Sequence, residues 1–471
     1  MLDGLDISEV NYLKVLEDKN KRLESKFYTS ITGIQSNFAL GEDIVDFVQY
    51  GTSKELNDEK YGFPILRLNE FESNFIGVPS KYCNIINNNT FENLKLIKDD
   101  VLVCRTNGNP KYVGKSAIVM QNTNLAYASY LFKIRPKKEF INSSTLSIFL
   151  NSKYGRQEIE KYSMVSNQAN FSPAKFREIR IPLFINNFQL KIENLVKSSY
   201  LKQEESKILY KQSEDLLLKE LDLLDFKPSK EKIAIKTFSK SFGDSGRLDS
   251  EYYQVKYDEI IDKIKSYNGG HKLIREVLID NIKSGTTPKT ITKEYIPNSN
   301  YFLRAESFNN DLTLNYNSLY SVDDKTFIKH NSIAVKQFDI LVSMTGTIGN
   351  VAIVTKNINA IINQNIVKLS VNQELLNYNI FALFMKTVGK DLLIREQTGN
   401  VQPYVNIPNF SNLVIPIIDD TIQTQIEEKI KESFKLKEKS KQLLEVAKKA
   451  VEIAIEENEE IATEFIGESY E

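Results

Sequence analysis

The sequence predicts an α+β protein of two tandem mixed α/β domains, separated by long helices that pair as an antiparallel coiled coil with pseudo-twofold character. Three observations carry this. The run Gln168 … Phe176 … Ile181-Pro182 … Gln189 … Ile192-Glu193 returns 234 residues later as Gln402 … Phe410 … Ile415-Pro416 … Gln423 … Ile426-Glu427, an offset close to half of the 471-residue chain. Each copy then runs into a polar, charged stretch without glycine, from about Asn187 to Lys227 and from about Thr421 to Glu464. Inside those stretches small residues recur every seven positions.

The repeat extends through both copies with small gaps. Arg22–Tyr28 matches Arg247–Tyr253, Gly51-Thr52-Ser53 matches Gly285-Thr286-Thr287, and Leu66-Arg67 matches Leu303-Arg304. Asp100–Val103 matches Asp339–Val342, and Gly114-x-x-Ala117-Ile118-Val119 matches Gly349-x-x-Ala352-Ile353-Val354. The offset drifts between 225 and 239, as insertions in loops between retained strands would cause. Two copies are too few for a solenoid. The implied boundaries are 1–186 for a first domain with a leader helix, 187–232 for a central helix, 233–418 for a second domain, and 419–471 for a distal helix with an acidic tail.

The elements follow in order. A helix over Ser8–Lys26 opens the chain, and its counterpart before Arg247 is interrupted by Gly243 and Gly246. Short β-branched runs at 101–103, 117–119 and 130–134, repeated at 339–343, 351–354 and 366–369, read as strands. Segments Ile148–Tyr162 and Ile380–Arg395 read as helices, and Pro182 and Pro416 close the strands before the long helices. In those helices Ser199, Ser206 and Ser213 face Ser433, Ser440, Ala447 and Ala454 in heptad steps, with Leu209, Leu216, Leu436, Leu443 and Ala450 three residues later. Small side chains on a seven-residue seam let two helix axes approach closely.

Composition bounds the function. Residues 451–471 carry eight acidic residues and no Lys or Arg, so without them the formal charge rises from −1 to +7. A mildly basic body is compatible with DNA, and a solvated helix end explains the tail equally well. Cys83 and Cys104 provide no disulfide framework. Residues Met1–Asp6 lack a signal-peptide start, and no apolar run approaches the roughly 20 residues that span a bilayer. A cytoplasmic protein without membrane contact is expected. His271 and His330 have no catalytic neighbours at a recognisable spacing, and phosphate-binding, dinucleotide and amino-methyltransferase motifs are missing. Catalysis by this chain alone is not expected, and no catalytic or metal-binding residue is assigned.

The residues suited to reading DNA fall in repeated loops. The first copy offers Arg105, Asn107, Asn109, Lys111 and Lys115, then Gln168 and Asn170. The second offers Thr345, Thr347 and Asn350, then Gln402 and Tyr404. Arg pairs bidentately with guanine, Asn or Gln with adenine, and Thr and backbone amides with phosphate. For any one of them ordinary turn chemistry explains the residue at least as well.

In this order, twice, these motifs resemble the specificity (S) subunits of type I restriction–modification systems. The resemblance rests on Arg247–Tyr253, on Asp339–Val342 running into Thr345-Gly346-Thr347-Ile348-Gly349, on Ile362-Asn363-Gln364-Asn365, and on Gln402, Ile415-Pro416 and the helix from Gln423. The first copy lacks the Thr-Gly-Thr-x-Gly loop and the Asn-Gln pair, so the halves are expected to read different sequences. The resemblance implies two target-recognition domains; Gln364 and Asn365 from its motifs, with Arg67 and Arg304 from the matched Leu-Arg pairs, are further candidate DNA contacts. It also implies a non-catalytic subunit whose helices dock two methyltransferase subunits and set the half-site spacing. S-adenosylmethionine, ATP and Mg²⁺ would belong to partner subunits, restriction subunits being an optional further partner. About 40 helical residues span roughly 60 Å, on the order of 17 base pairs of double-stranded DNA. The competing readings are a specificity protein for another methyltransferase or nuclease, and a coiled-coil interaction scaffold without DNA contact.

Overall fold

The computed structural model describes all residues except 1–8, 18–20, 22, 24, 31–32, 35–36, 85, 166–168, 230–232, 244, 400 and 471. Two compact units emerge: residues 1–204 with 436–471, and residues 205–435. Each unit therefore takes part of the central helix, Asn186–Glu220, and part of the distal helix, Asp420–Glu456.

The same strand plan recurs in both units. In the first, a six-stranded sheet runs in the order Val45–Tyr50, Leu131–Pro136, Val101–Cys104, Ser116–Ile118, Phe75–Ile76, Phe71–Glu72. In the second, a four-stranded sheet runs Lys283–Ser284, Ile366–Leu369, Ile340–Ser343, Val351–Ile353. Beside each lies a three-stranded sheet with one parallel pair, Phe63–Leu66 with Ala126–Tyr127 and Asn300–Leu303 with Ala360–Ile362. A two-stranded antiparallel sheet ends at each repeated Ile-Pro: Phe38–Leu40 with Arg180–Pro182, and His271–Leu273 with Val414–Pro416.

Strand alternation splits each core in two, because successive side chains point to opposite faces. In the second unit Ile340, Val342, Val351 and Ile353 pack against helix Tyr378–Lys386, while Leu341 and Ala352 pack on the small sheet. The first unit repeats this with Val101 and Val103 on one side and Leu102 on the other. Both faces of the central strands are thus covered, which is why they read as unbroken apolar runs.

The matched glycines have steric reasons. A Cβ on Gly51 would stand 2.3 Å from the Ala128 carbonyl oxygen, and one on Gly285 would stand 2.1 Å from that of Ile362. Gly114 and Gly349 both adopt φ +79°, a left-handed turn that other residues enter only at a cost.

The matched aspartates are buried. Asp100 accepts hydrogen bonds from the Ile97 amide (3.0 Å) and Arg135 Nε (2.9 Å), with Lys133 Nζ 3.8 Å away. Asp339 accepts from the Lys336 amide (2.8 Å), Ser370 Oγ (2.6 Å) and Lys368 Nζ (3.4 Å). Burial lowers the Lys133 ammonium from its ordinary range, with Asp100 opposing.

The long helices meet through serine rungs. In the first unit Ser199 Oγ donates to the Ser440 carbonyl at 2.8 Å. In the second, Ser206 Oγ donates to the Ser433 carbonyl (2.7 Å) and Ser433 Oγ to that of Ser206 (2.8 Å). Seven residues forward on one helix are seven back on the other, an antiparallel register. Ser213, Leu436, Leu443, Ala447 and Ala450 are also buried.

Several expectations need correction. The seam in the second half of the central helix is filled by buried Tyr210 and Leu217, while Leu209 and Leu216 are half-buried. Ser199, Ser206 and Ser213 stay buried at strict seven-residue spacing, and the second buried position lies four residues after Ser206 and Ser213, where Tyr210 and Leu217 join the core of the second unit. In place of one leader helix over 8–26, the described residues form helices Tyr12–Glu17 and Ser25–Thr29. The segments 148–162 and 380–395 each become two helices, broken at Ser152 and Thr387; Ser152 Oγ accepts from the Gly155 amide and so starts a new helix. The distal helix breaks before Glu459–Tyr470, where Asn458 Oδ1 accepts from the Glu460 and Ile461 amides and opens a new helix. The acidic tail is not merely a solvated end. Glu452 accepts the Lys153 amide, Glu456 accepts the Tyr154 hydroxyl (2.6 Å), and Glu459 accepts the Ile185 amide. Carboxylates at these two helix starts satisfy orphan amides and face the positive dipole end. Among the described residues no helix is long and apolar enough to cross a membrane.

Four substitutions test this packing in chemical denaturation. Ser206→Ala should cost about 1 kcal/mol, and Ser206→Leu about 1–3 kcal/mol by overpacking; a neutral leucine would refute the close rung. Lys368→Ala should cost about 3–5 kcal/mol by stranding a buried carboxylate. Lys133→Ala should cost less, because Arg135 still faces Asp100.

Candidate nucleic-acid interface

Three chain segments meet at one edge of each unit, joined by backbone hydrogen bonds. In the second unit the Met344 amide donates to the Asn365 carbonyl (2.8 Å) and the Val405 amide to that of Met344 (2.9 Å). In the first, the Arg105 amide donates to Tyr130 (2.8 Å) and the Phe171 amide to Arg105 (2.7 Å). The strand that begins at the buried aspartate thus delivers a loop, and the loop is clasped between two others. The predicted residues Thr345, Asn365, Gln402 and Tyr404 come together here in one copy, and Arg105 and Asn170 in the other.

In the second unit the clasp continues through paired Thr345 and Tyr404 and a bond from the Gly346 amide to the Pro403 carbonyl (3.0 Å). Thr347, Gln402 and Tyr404 are exposed. The Thr347 carbonyl accepts from Ser343 Oγ at 2.5 Å, and the Asn350 amide donates to that same oxygen, so Ser343 holds the turn. Gln364 is engaged by Thr287 Oγ1 and Asn363 Nδ2. Arg304 donates to Glu306 (2.7 Å) and to the Tyr320 hydroxyl (3.0 Å).

In the first unit Asn107 and Asn109 each turn Oδ1 onto a backbone amide two residues ahead, which is turn chemistry. Lys111 and Lys115 are exposed, Lys115 lying 5.1 Å from the Tyr112 ring centre. Arg67 is held by Glu70 (2.7 Å) and Ser80 (2.7 Å). Arg105 lies 5.3 Å from the centre of the Tyr50 ring. Arg105 Nε and Asn170 Oδ1 are buried without a hydrogen-bond partner. Asn170 pairs with Thr106, the residue after Arg105, so this donor and this acceptor lie on neighbouring segments. Gln168 lies outside the described residues.

Two aromatic residues escaped the sequence reading. Tyr50, 47% exposed, supports Arg105. Tyr130 lies in the clasp, and burial pushes its hydroxyl up to about 12 against the opposing charge of Arg67. Neither carries a motif; the signal available was Tyr50 standing directly before the matched Gly51. A pocket of about 420 Å³ in the second unit is lined by Lys283, Lys336 and Lys368, and none of the predicted residues lines it. The candidate surface is therefore made of loops rather than a cavity.

Residues 276–447 match the family described as Type I restriction modification DNA specificity domain. Among solved structures, the chain is similar to a type I restriction–modification system S subunit from M. genitalium, at 12% identity and TM-score 0.41, covering 90% of this chain and 96% of that one. It is also similar to the HsdS subunit from Thermoanaerobacter tengcongensis, at 11% identity and TM-score 0.29, covering 90% and 97%. No curated protein matches the sequence.

The clasp predicts slow hydrogen exchange at the amides of Arg105 and Phe171 in one unit and Met344 and Val405 in the other. The Val401 amide, in a residue 99% exposed, should exchange quickly. Equal rates across these five would show that the loops are not pinned.

Proposed function

We propose that this chain, which carries a type I restriction modification DNA specificity domain at residues 276–447, is the DNA-reading subunit of a type I restriction–modification complex. Each unit reads one half of a bipartite asymmetric site. The observation that carries the proposal is the clasp that both units build in the same way and fill with different side chains: Arg105, Asn107 and Asn170 in one, Thr345, Thr347 and Gln402 in the other. A common frame with different reading residues is what an asymmetric site requires.

In this reading the chain does no chemistry of its own. Methyltransferase subunits docked on the long helices would supply S-adenosylmethionine, and restriction subunits, where present, would use ATP and Mg²⁺. Phosphate contacts from Lys111 and Lys115 would position the first unit, while Arg105 is suited to guanine and Gln402 to adenine. At about 1.5 Å per residue the 35-residue central helix is about 52 Å long. That is on the order of 15 base pairs at about 3.4 Å per step, room for two half-sites and a gap. Such a complex would work in the cytoplasm.

Sequencing that detects methylated adenine, in cells expressing the chain with its methyltransferase partner, tests the reading. A split motif that disappears with this chain is expected. Replacing Arg105 or Gln168 should relax one half, and Thr347 or Gln402 the other, each costing roughly 1–3 kcal/mol of discrimination. Substitutions that disturb both halves contradict the division of labour. Absence of any dependent motif, with no preferred sequence in binding, would favour a scaffold without DNA contact.

A further inference from the structure

The repeated run Arg247–Tyr253 plays no part in the clasp, yet it holds the element that feeds it. In the second unit this run closes over the C-terminal end of helix Val388–Glu396. Arg247 donates from Nη1 to the Glu396 carbonyl (3.3 Å) and from Nη2 to the Gln397 carbonyl (2.9 Å). Asp249 fixes the same guanidinium from Nε (2.8 Å) and Nη2 (2.5 Å). The guanidinium carbons of Arg247 and Arg395 each lie 4.5 Å from the Tyr252 ring centre. Arg395 donates to the Tyr252 carbonyl (3.1 Å) and to Asp258 (3.2 Å), and the Tyr253 hydroxyl donates to the Arg247 carbonyl (2.9 Å). A helix end leaves its last carbonyls without intrahelical partners, and a cation there is favoured.

The next residue is Thr398. Its amide donates to the Tyr404 carbonyl (2.8 Å), and the Tyr404 amide returns the bond (2.9 Å). Thr398 and Tyr404 are therefore a reciprocal pair at the base of the segment that carries Gln402. One end is tied at Val405 to Met344, and the other begins directly beyond the carbonyls that Arg247 holds. The carbonyls that Arg247 holds therefore fix where Thr398 starts.

We propose that Arg247, braced by Asp249, Tyr252 and Arg395, is a positioning residue for the Thr398–Tyr404 pair and the Gln402 beside it, setting which bases the second unit discriminates without touching DNA. The inference rests on the DNA-reading function proposed above. Arginine is required because one planar fork serves two carbonyls and a carboxylate together, which a lysine ammonium does not reproduce. In the first unit the position of Tyr252 is held by Phe27, with Lys161 Nζ 5.2 Å from its ring centre and donating to the Ser30 carbonyl.

The test uses the full chain assembled with its methyltransferase partner and measures Kd for the cognate DNA and for DNAs with one base changed in either half-site, at two salt concentrations. The half-site of the second unit is the one whose ratio responds to Gln402→Ala. Arg247→Ala and Arg247→Lys should each lower discrimination there by roughly ten-fold, leaving the other half-site and the salt dependence unchanged. Leu383→Ala, a core substitution in the same unit, provides the comparison: it should reduce the active fraction and keep the discrimination ratio. Full discrimination in both Arg247 variants, or an equal loss in Leu383→Ala, would overturn the positioning role while leaving the DNA-reading function standing. A wild-type complex with no sequence preference would overturn that function and this inference with it.

Discussion

A carboxylate buried just ahead of the central strand is the constraint on which each unit depends. Asp100 and Asp339 are fully shielded from water, and a buried charge persists only when paired and hydrogen-bonded. Each closes a tight turn through an amide three residues upstream, and in each case the preceding residue, Asp99 or Phe338, is left-handed. The lysine, Lys133 or Lys368, comes from the strand that neighbours the central strand in the sheet and lies across the small-sheet face. One interaction thus sets the start of the strand, its register against its neighbour, and the spacing between the two sheets. The loop at the far end of that strand inherits its position from this pairing.

The same economy governs how the long helices join the globular parts. Gln189 Oε1 accepts from the Asn142 amide, and Gln423 Oε1 accepts from the Asn377 amide, each at 2.8 Å. Those asparagines are themselves helix caps, bonded to the Thr145 and Asn379 amides. A single glutamine therefore couples the first turn of a long helix to the first turn of a domain helix. Its Nε2 also donates to the carbonyl of Phe184 or Ile418 just upstream. Serine rungs then set a short approach between the helices, since a serine pair satisfies backbone and side chain within the space of a small residue. Such a frame keeps the first turns of the joined helices in a fixed geometry.

The duplication separates what is shared from what is free to differ. Glycines that prevent clashes, aspartates that pair inside the core and glutamines that fasten helices are kept in both copies. The loops clasped at the sheet edge are not: one copy has Arg105 against Tyr50 with Asn170 on the neighbouring segment, the other the Thr345–Asn350 turn under Gln402 and Tyr404. Stability comes from the shared set, so the loops can vary without dismantling the unit.

Read alone, the sequence determined the duplication, the alternating strands, the two long helices and the serine spacing, because each is a periodicity or repeat set by local geometry. It also pointed to Arg105, Thr345, Asn365 and Gln402, which the structure brings to the clasps, since they flank matched strands. Only the tertiary structure decided the rest. Whether Leu216 or Leu217 is buried depends on what packs around the helix, and the roles of Lys133 and Lys368 depend on which aspartate lies beside them once the strands pair. Glu452, Glu456 and Glu459 look like a solvated tail until the distal helix brings them to the starts of helices about 300 residues away in sequence. Arg247 and Tyr50 acquire their partners in the same way, from contacts that exist only after distant segments meet, and no spacing along the chain encodes such contacts.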